Sequence, residues 1–114
     1  MLEEKLLKII NNNEDIAIID IDLNEQQKIV FSYFVYHVKK LNLNTNKISL
    51  LINYFFLELT RGSIVTRYLN GENIDLECLN NSVEILINDI IYNYFENDDY
   101  KKINKLNMFK KNIK

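Results

Sequence analysis

Apolar side chains recur at helical spacing from the start of the chain. Leu2, Leu6, Ile9 and Ile10 fall on one side of a helix, with charged residues elsewhere. This spacing is typical of an amphipathic α-helix that packs against a core. The three asparagines at 11–13 are expected to end it.

Capping signatures place the other helices. Asn24 followed by Gln27, and Asn81 followed by Glu84, both fit a capping box. Gly71 stands where a left-handed C-cap would follow a short helix. With no proline and two glycines in the chain, the pattern favours helices joined by short polar turns. The predicted helices run over about 2–10, 24–41, 45–59, 63–69, 81–95 and from 98 onward.

One segment departs from this pattern. Over 16–23, Ile19, Ile21 and Leu23 alternate with aspartates, and such alternation indicates a strand. The chain offers no second run of this kind to pair with it. We therefore expect an extended or loosely helical linker, while a strand paired across a dimer axis stays open.

Length and composition fit a folded helical protein. The chain has 114 residues, of which 47% are hydrophobic and 26% charged, as in ordinary soluble domains. We predict an all-α fold, a small helical bundle of five to seven helices. We expect one domain over 1–114, with a basic C-terminal helix or tail at 98–114.

The second and third predicted helices are apolar on nearly every side. A helix of this kind is usually buried all round, and a chain this small has difficulty covering two of them. The surplus apolar surface predicts a homodimer or another protein partner; a tight monomer that uses the same residues as its core is the alternative. The candidate interface or core residues are Tyr33, Phe34, Tyr36, Tyr54, Phe55 and Phe56.

Charge alternates in blocks that the net charge of −2 conceals. The blocks 1–25 and 72–99 are acidic, with charges of −5 and −8, whereas 26–71 and 100–114 are basic, with +5 and +6. Opposite blocks can neutralise each other within the fold. Alternatively, the basic blocks contact phosphates, or the acidic block offers a basic protein a charge pattern like that of a nucleic acid.

The stretch 59–71 holds both arginines and both glycines of the chain. On a helix that begins near Ser63, the spacing places Ser63, Thr66, Arg67 and Asn70 on one face. Such side chains can bind phosphates or base edges. Together with Arg61, they are candidate nucleic-acid contacts.

A helix at 45–58, a turn and this short helix give a helix-turn-helix outline. The dozen residues involved loosely resemble the recognition segment of helix-turn-helix repressors, which implies a dimeric DNA-binding regulator. The preceding helix departs from that family, because it carries bulky aromatic side chains where a small residue is usual. In the alternative interpretation, Arg61 and Arg67 pair with acids such as Glu72 or Asp75 at a structural corner.

Few residues suit catalysis or metal binding. His37 is the single histidine and lies among aromatic residues, and Cys78 is the single cysteine. Asp20 and Asp22 resemble the start of a calcium loop, but its sixth position is Glu25 rather than glycine. We expect neither an enzyme nor a cofactor or metal site.

The first ten residues lack the pattern of a secretory signal, and no apolar stretch reaches the length of a membrane span. We expect a cytoplasmic protein with no membrane contact. The resulting hypothesis is a small non-catalytic regulatory or inhibitory protein that binds another protein and itself as a homodimer. Its size and composition are common among phage, plasmid and virus proteins. DNA binding through 59–71 is the alternative.

Overall fold

The computed structural model describes residues 2–12 and 23–95, and over these ranges the chain is helical, with no strand. The all-α prediction is confirmed for this part of the chain. Residues 16–22 of the predicted linker at 16–23, and the basic segment at 98–114, lie outside the described residues. The helices are α1 (Leu2–Asn12), α2 (Glu25–Lys39), α3 (Thr45–Glu58), α4 (Ile64–Leu69) and α5 (Leu76–Ile90), which continues into a π-helical turn (Ile91–Phe95).

The predicted capping box of α2 is present. The Asn24 side-chain oxygen accepts a hydrogen bond from the Gln27 backbone N–H at 2.8 Å, and the Gln27 side chain accepts one from the Asn24 N–H at 2.9 Å. Asn44 caps α3 by accepting from the Lys47 N–H, and Ser63 caps α4 by accepting from the Thr66 N–H. These side chains satisfy amide groups that have no partner inside the helix.

The predicted start of α5 is wrong. The helix begins at Leu76, because Asp75 is its N-cap and accepts a hydrogen bond from the Cys78 N–H at 3.2 Å. Asn81 instead lies inside the helix and is exposed. The reason is burial: Leu79 is fully enclosed in the core, so a helix that began at Asn81 would leave out a residue that the core requires.

A left-handed glycine ends α4, as predicted. Gly71 has φ of +97°, a conformation that glycine adopts without steric cost. The Gly71 N–H donates to the Tyr68 carbonyl, and the Glu72 N–H donates to the Arg67 carbonyl, both at 3.0 Å. This pair of hydrogen bonds is the Schellman motif, and it turns the chain sharply from α4 towards α5.

Helix α2 is the centre of the bundle. It packs against α1, α4 and α5, and its phenylalanines contact α3. The ring of Phe55 lies 4.3 Å from that of Phe34 and 6.3 Å from that of Phe31, measured between centroids. Burying a side chain of this size stabilises a fold by about 1.5–3 kcal/mol. The described helices therefore share one hydrophobic core around α2.

Candidate binding surface on helices α4 and α5

An open groove of about 270 Å³ lies between α4 and α5. The two helices meet because Val65, one residue into α4, is fully buried. Its neighbour Ile64 stays 37% exposed at the mouth of the groove, opposite Ile85, which is 58% exposed. Leu86 and Asp89 complete this wall of α5. The groove is thus mainly apolar with a carboxylate at one edge.

Helix α5 has two distinct faces. Its inner face buries Leu79, Val83, Ile87 and Ile90 at successive turns, as expected of a helix that packs on a core. Its outer face carries Ile85, which remains exposed at the groove. An isoleucine exposed to this extent on the outside of an amphipathic helix is available to a partner.

The surface around Ile85 is acidic. Within 72–95 the chain has five acidic residues and no lysine or arginine. Glu72 pairs with Arg67, and Glu84 lies next to His37. Among the described residues, no ion pair involves Glu77 or Asp89. Within the described part of the chain, Glu77 and Asp89 are thus exposed carboxylates without an ion-pair partner.

The predicted nucleic-acid contacts are brought together, but most are engaged within the fold. The Thr66 hydroxyl donates to the Leu59 carbonyl at 2.7 Å, while the Ser63 side chain accepts from the Thr66 N–H at 3.2 Å. Arg67 pairs with Glu72, one of the acids that the alternative interpretation named. These contacts hold the corner between α3, α4 and α5.

The other two candidate contacts lie at the rim of this corner. Arg61 pairs with Glu58 at 3.4 Å across one turn of chain, and Asn70 is exposed at the end of α4. The helix between them has six residues, less than two turns. A recognition helix of this length offers few outward positions.

The six predicted aromatic residues divide into three groups. Phe34 and Phe55 are buried inside the single chain, so the structure gives them the core role. Tyr33, Tyr54 and Phe56 are partly buried against that core. Tyr36 is exposed and lies beneath the Lys40 ammonium, 4.0 Å from the ring centroid.

Tyr54 has a partner that sequence reasoning did not identify. Its ring stacks on that of Tyr94 at 4.1 Å, with an angle of 9° between the ring planes. Tyr94 belongs to the π-helical turn that extends α5. The stack joins the end of this turn to α3.

His37 links α2 to α5 in the interior. The side chain is 8% exposed, with Nε2 2.7 Å from Asn80 Oδ1 and Nδ1 3.4 Å from Glu84 Oε2. Both ring nitrogens are thus engaged by α5, which satisfies polar atoms that would be costly to bury alone. The contact adds a polar link between α2 and α5 beside the apolar packing of the inner face of α5.

Within residues 2–12 and 23–95, no three His, Cys, Asp or Glu side chains are grouped so that they could hold a metal ion. Nor does any helix at 2–12 or 23–95 have the length and apolar character of a membrane span. Comparison of the chain with protein-family models, curated proteins and solved structures finds no match.

Sequence reasoning missed Ile64 and Ile85 as site residues. Ile64 lies next to the buried Val65, and nothing local distinguishes the two. Ile85 did carry a local signal, because it lies seven residues after Cys78 and therefore on the same side of α5. That side is opposite the buried face.

Proposed function

We propose that this chain is a non-catalytic binding protein, and that its partner is a protein that places an apolar side chain in the groove between α4 and α5. The observation that carries this proposal is the exposed pair Ile64 and Ile85 beside Asp89, a carboxylate that has no ion-pair partner among residues 2–12 and 23–95. Apolar contact supplies affinity, and the acidic rim selects partners with basic residues near their apolar anchor.

A regulatory or inhibitory role fits this chemistry. A basic surface on a partner is often one that binds phosphate or nucleic acid. A small acidic protein that covers such a surface would block it without any chemical step. This role is supported by the charge of α5, which has no lysine or arginine along its whole length.

The test compares two matched pairs of substitutions. Ile64→Ser with Ile85→Ser removes the apolar groove, whereas Leu41→Ser with Leu76→Ser removes exposed leucines that do not line it. Each variant is coupled to a support and exposed to an extract of the source cell. We expect a partner that is retained by the wild type and the leucine variant and lost by the groove variant. Retention by the groove variant would contradict the proposal.

Circular dichroism of both variants provides the folding control. The four substituted side chains are all exposed, and surface substitutions usually change stability by no more than about 0.5 kcal/mol. Equal helical content in the two variants would assign any loss of binding to the groove itself.

We also propose that the chain forms a homodimer, with the outer face of α3 as the contact. Leu50 and Leu57 are two turns apart and both exposed there. Light scattering should report twice the chain mass for the wild type and a monomer for Leu50→Glu with Leu57→Glu. A wild type that stays monomeric at high concentration would refute the dimer.

DNA binding is the competing proposal, and the exposure of Arg61, Arg67 and Asn70 favours it. Binding to mixed duplex DNA should then weaken steeply as salt rises, and Arg67→Ala should reduce that slope. Lys47→Ala is the matched control, because Lys47 is exposed at the start of α3. No binding at low salt would remove this alternative.

A further inference from the structure

The groove between α4 and α5 is elongated along α5. Ser82, Ile85 and Asp89 line it at spacings of three and four residues, so they share one side of the helix. The step from Ser82 to Asp89 is about two helical turns, or about 10 Å. Ile64 lines the same groove from α4. Apolar side chains thus occupy the middle of the groove, and the Asp89 carboxylate stands at one end.

The composition of the groove decides which kind of peptide segment suits it. Both walls are helices, whereas a segment that binds as an added strand needs the edge of a sheet. Proline-rich segments bind grooves lined by aromatic rings, and phosphorylated or acidic segments bind clusters of arginine. This lining is aliphatic, with two serines and one carboxylate. The recurring mode that fits it is an amphipathic helix laid into an apolar groove.

Asp89 adds a requirement of charge. Its side chain is exposed, and no ion pair within residues 2–12 and 23–95 involves it. It follows Ile85 by four residues, which places their Cβ atoms about 5–6 Å apart on one side of α5. A partner helix with an apolar side chain beside Ile85 would therefore bring a residue one turn away within reach of the carboxylate.

We propose that the partner inserts an amphipathic helix that carries an apolar residue and, one turn from it, a lysine or arginine. The apolar residue packs between Ile64 and Ile85, and the cation pairs with Asp89. This inference rests on the proposed function and narrows it, because Asp89 becomes the residue that selects the charge of the partner.

Synthetic helical peptides test this on the full chain. The probe is an alanine–glutamine peptide of about 20 residues, long enough to form a helix in water, with two leucines four positions apart and a lysine one turn beyond each. A second peptide has glutamate in place of these lysines. A third keeps the lysines but has proline at its centre, which breaks the helix. Titration into isotope-labelled chain, followed by amide NMR, gives the site and the dissociation constant for each peptide.

We expect chemical-shift changes at 63–65 and 82–89. The lysine peptide should bind about two- to fivefold more tightly than the glutamate peptide, as for an exposed ion pair, and several-fold more tightly than the proline peptide. Asp89→Lys should reverse the order of the two charged peptides, and the milder Asp89→Asn should abolish their difference.

Glu77→Lys is the matched control. It makes the same change of charge at an exposed position of the same helix, about 18 Å along the axis from Asp89. In about 0.15 M salt, charges so far apart are largely screened. The preference for the lysine peptide should therefore remain in this variant.

The proposal fails if no peptide binds, if the charged peptides bind equally, or if Asp89→Lys leaves their order unchanged. It also fails if the proline peptide binds as tightly as the helical one, or if the shift changes lie on other helices. Signals of 63–65 and 82–89 that move on dilution without peptide would place a second copy in the groove and overturn it as well. Capture from an extract is a separate result: a partner lost by the groove variant would uphold the proposed function even where these peptides fail.

Discussion

Helices α2 and α3 have similar apolar character but are covered to different extents. Helix α2 contacts all four other helices, and Tyr36 is its exposed large apolar side chain. Helix α3 packs on α1, α5 and the phenylalanines of α2, and it leaves Leu50 and Leu57 exposed. Apolar content thus shows that a helix lies near the centre, whereas the arrangement of its neighbours decides how much of it is covered.

This difference refines the argument for a partner. One chain encloses most of α2, and the exposed large apolar side chains of the described residues are spread over several elements: Tyr36, Leu41, Leu50, Leu57, Ile64, Leu76, Ile85 and Tyr92. The homodimer stays a prediction.

The largest expected change in the free energy of unfolding comes from a substitution within α3. Leu51 is fully buried and its neighbour Leu50 is exposed. Leu51→Ala should lower the free energy of unfolding by about 2–5 kcal/mol, because it leaves a cavity. Leu50→Ala should change it by no more than about 0.5 kcal/mol in the monomer. Urea unfolding of both variants measures the difference, and equal losses would mean that α3 has a different rotation.

A smaller change in the free energy of unfolding is expected from a substitution where α5 packs on α2. Asn80→Ala removes the partner of His37 Nε2, which lies 2.7 Å away. A buried polar atom left without a hydrogen bond costs about 1–3 kcal/mol. Asn88→Ala, on the exposed side of the same helix, is the control and should have little effect. If the two variants were equally stable in thermal or urea unfolding, His37 would not anchor α5.

The smallest effect concerns the start of α5. Asp75→Ala should destabilise the fold by about 0.5–2 kcal/mol through loss of the N-cap. Asn81→Ala should be nearly neutral, because Asn81 is exposed within the helix. Urea unfolding of the two variants gives the comparison. A larger loss for Asn81→Ala would restore the start that the sequence predicted.

Local chemistry explains what the sequence could predict. Asn24, Gln27, Ser63 and Gly71 act on atoms within a few residues of themselves, so their roles are visible in a short stretch of sequence. The bounds of α2, α3 and α4 followed from such signals to within two residues. Asp75 and Asn81 are both plausible caps, and local chemistry could not choose between them.

The candidate site depends on packing between distant segments. Phe34 and Tyr36 are two residues apart, yet one is buried and the other exposed, since α2 is rotated by its contacts with four neighbours. Within α5, the spacing of Leu79, Val83, Ile87 and Ile90 does mark the buried side and leaves Ile85 outside it. What the helix alone does not specify is its neighbour, Ile64 of α4, which lines the same groove as Ile85.

The left-handed residue at the end of α4 has a consequence for charge. Because Gly71 reverses the path of the chain, the backbone of Glu72 returns to the carbonyl of Arg67, and the two side chains meet there. An L-residue at this position would resist the reversal. The positive φ of Gly71 therefore brings the Glu72 carboxylate next to the Arg67 guanidinium.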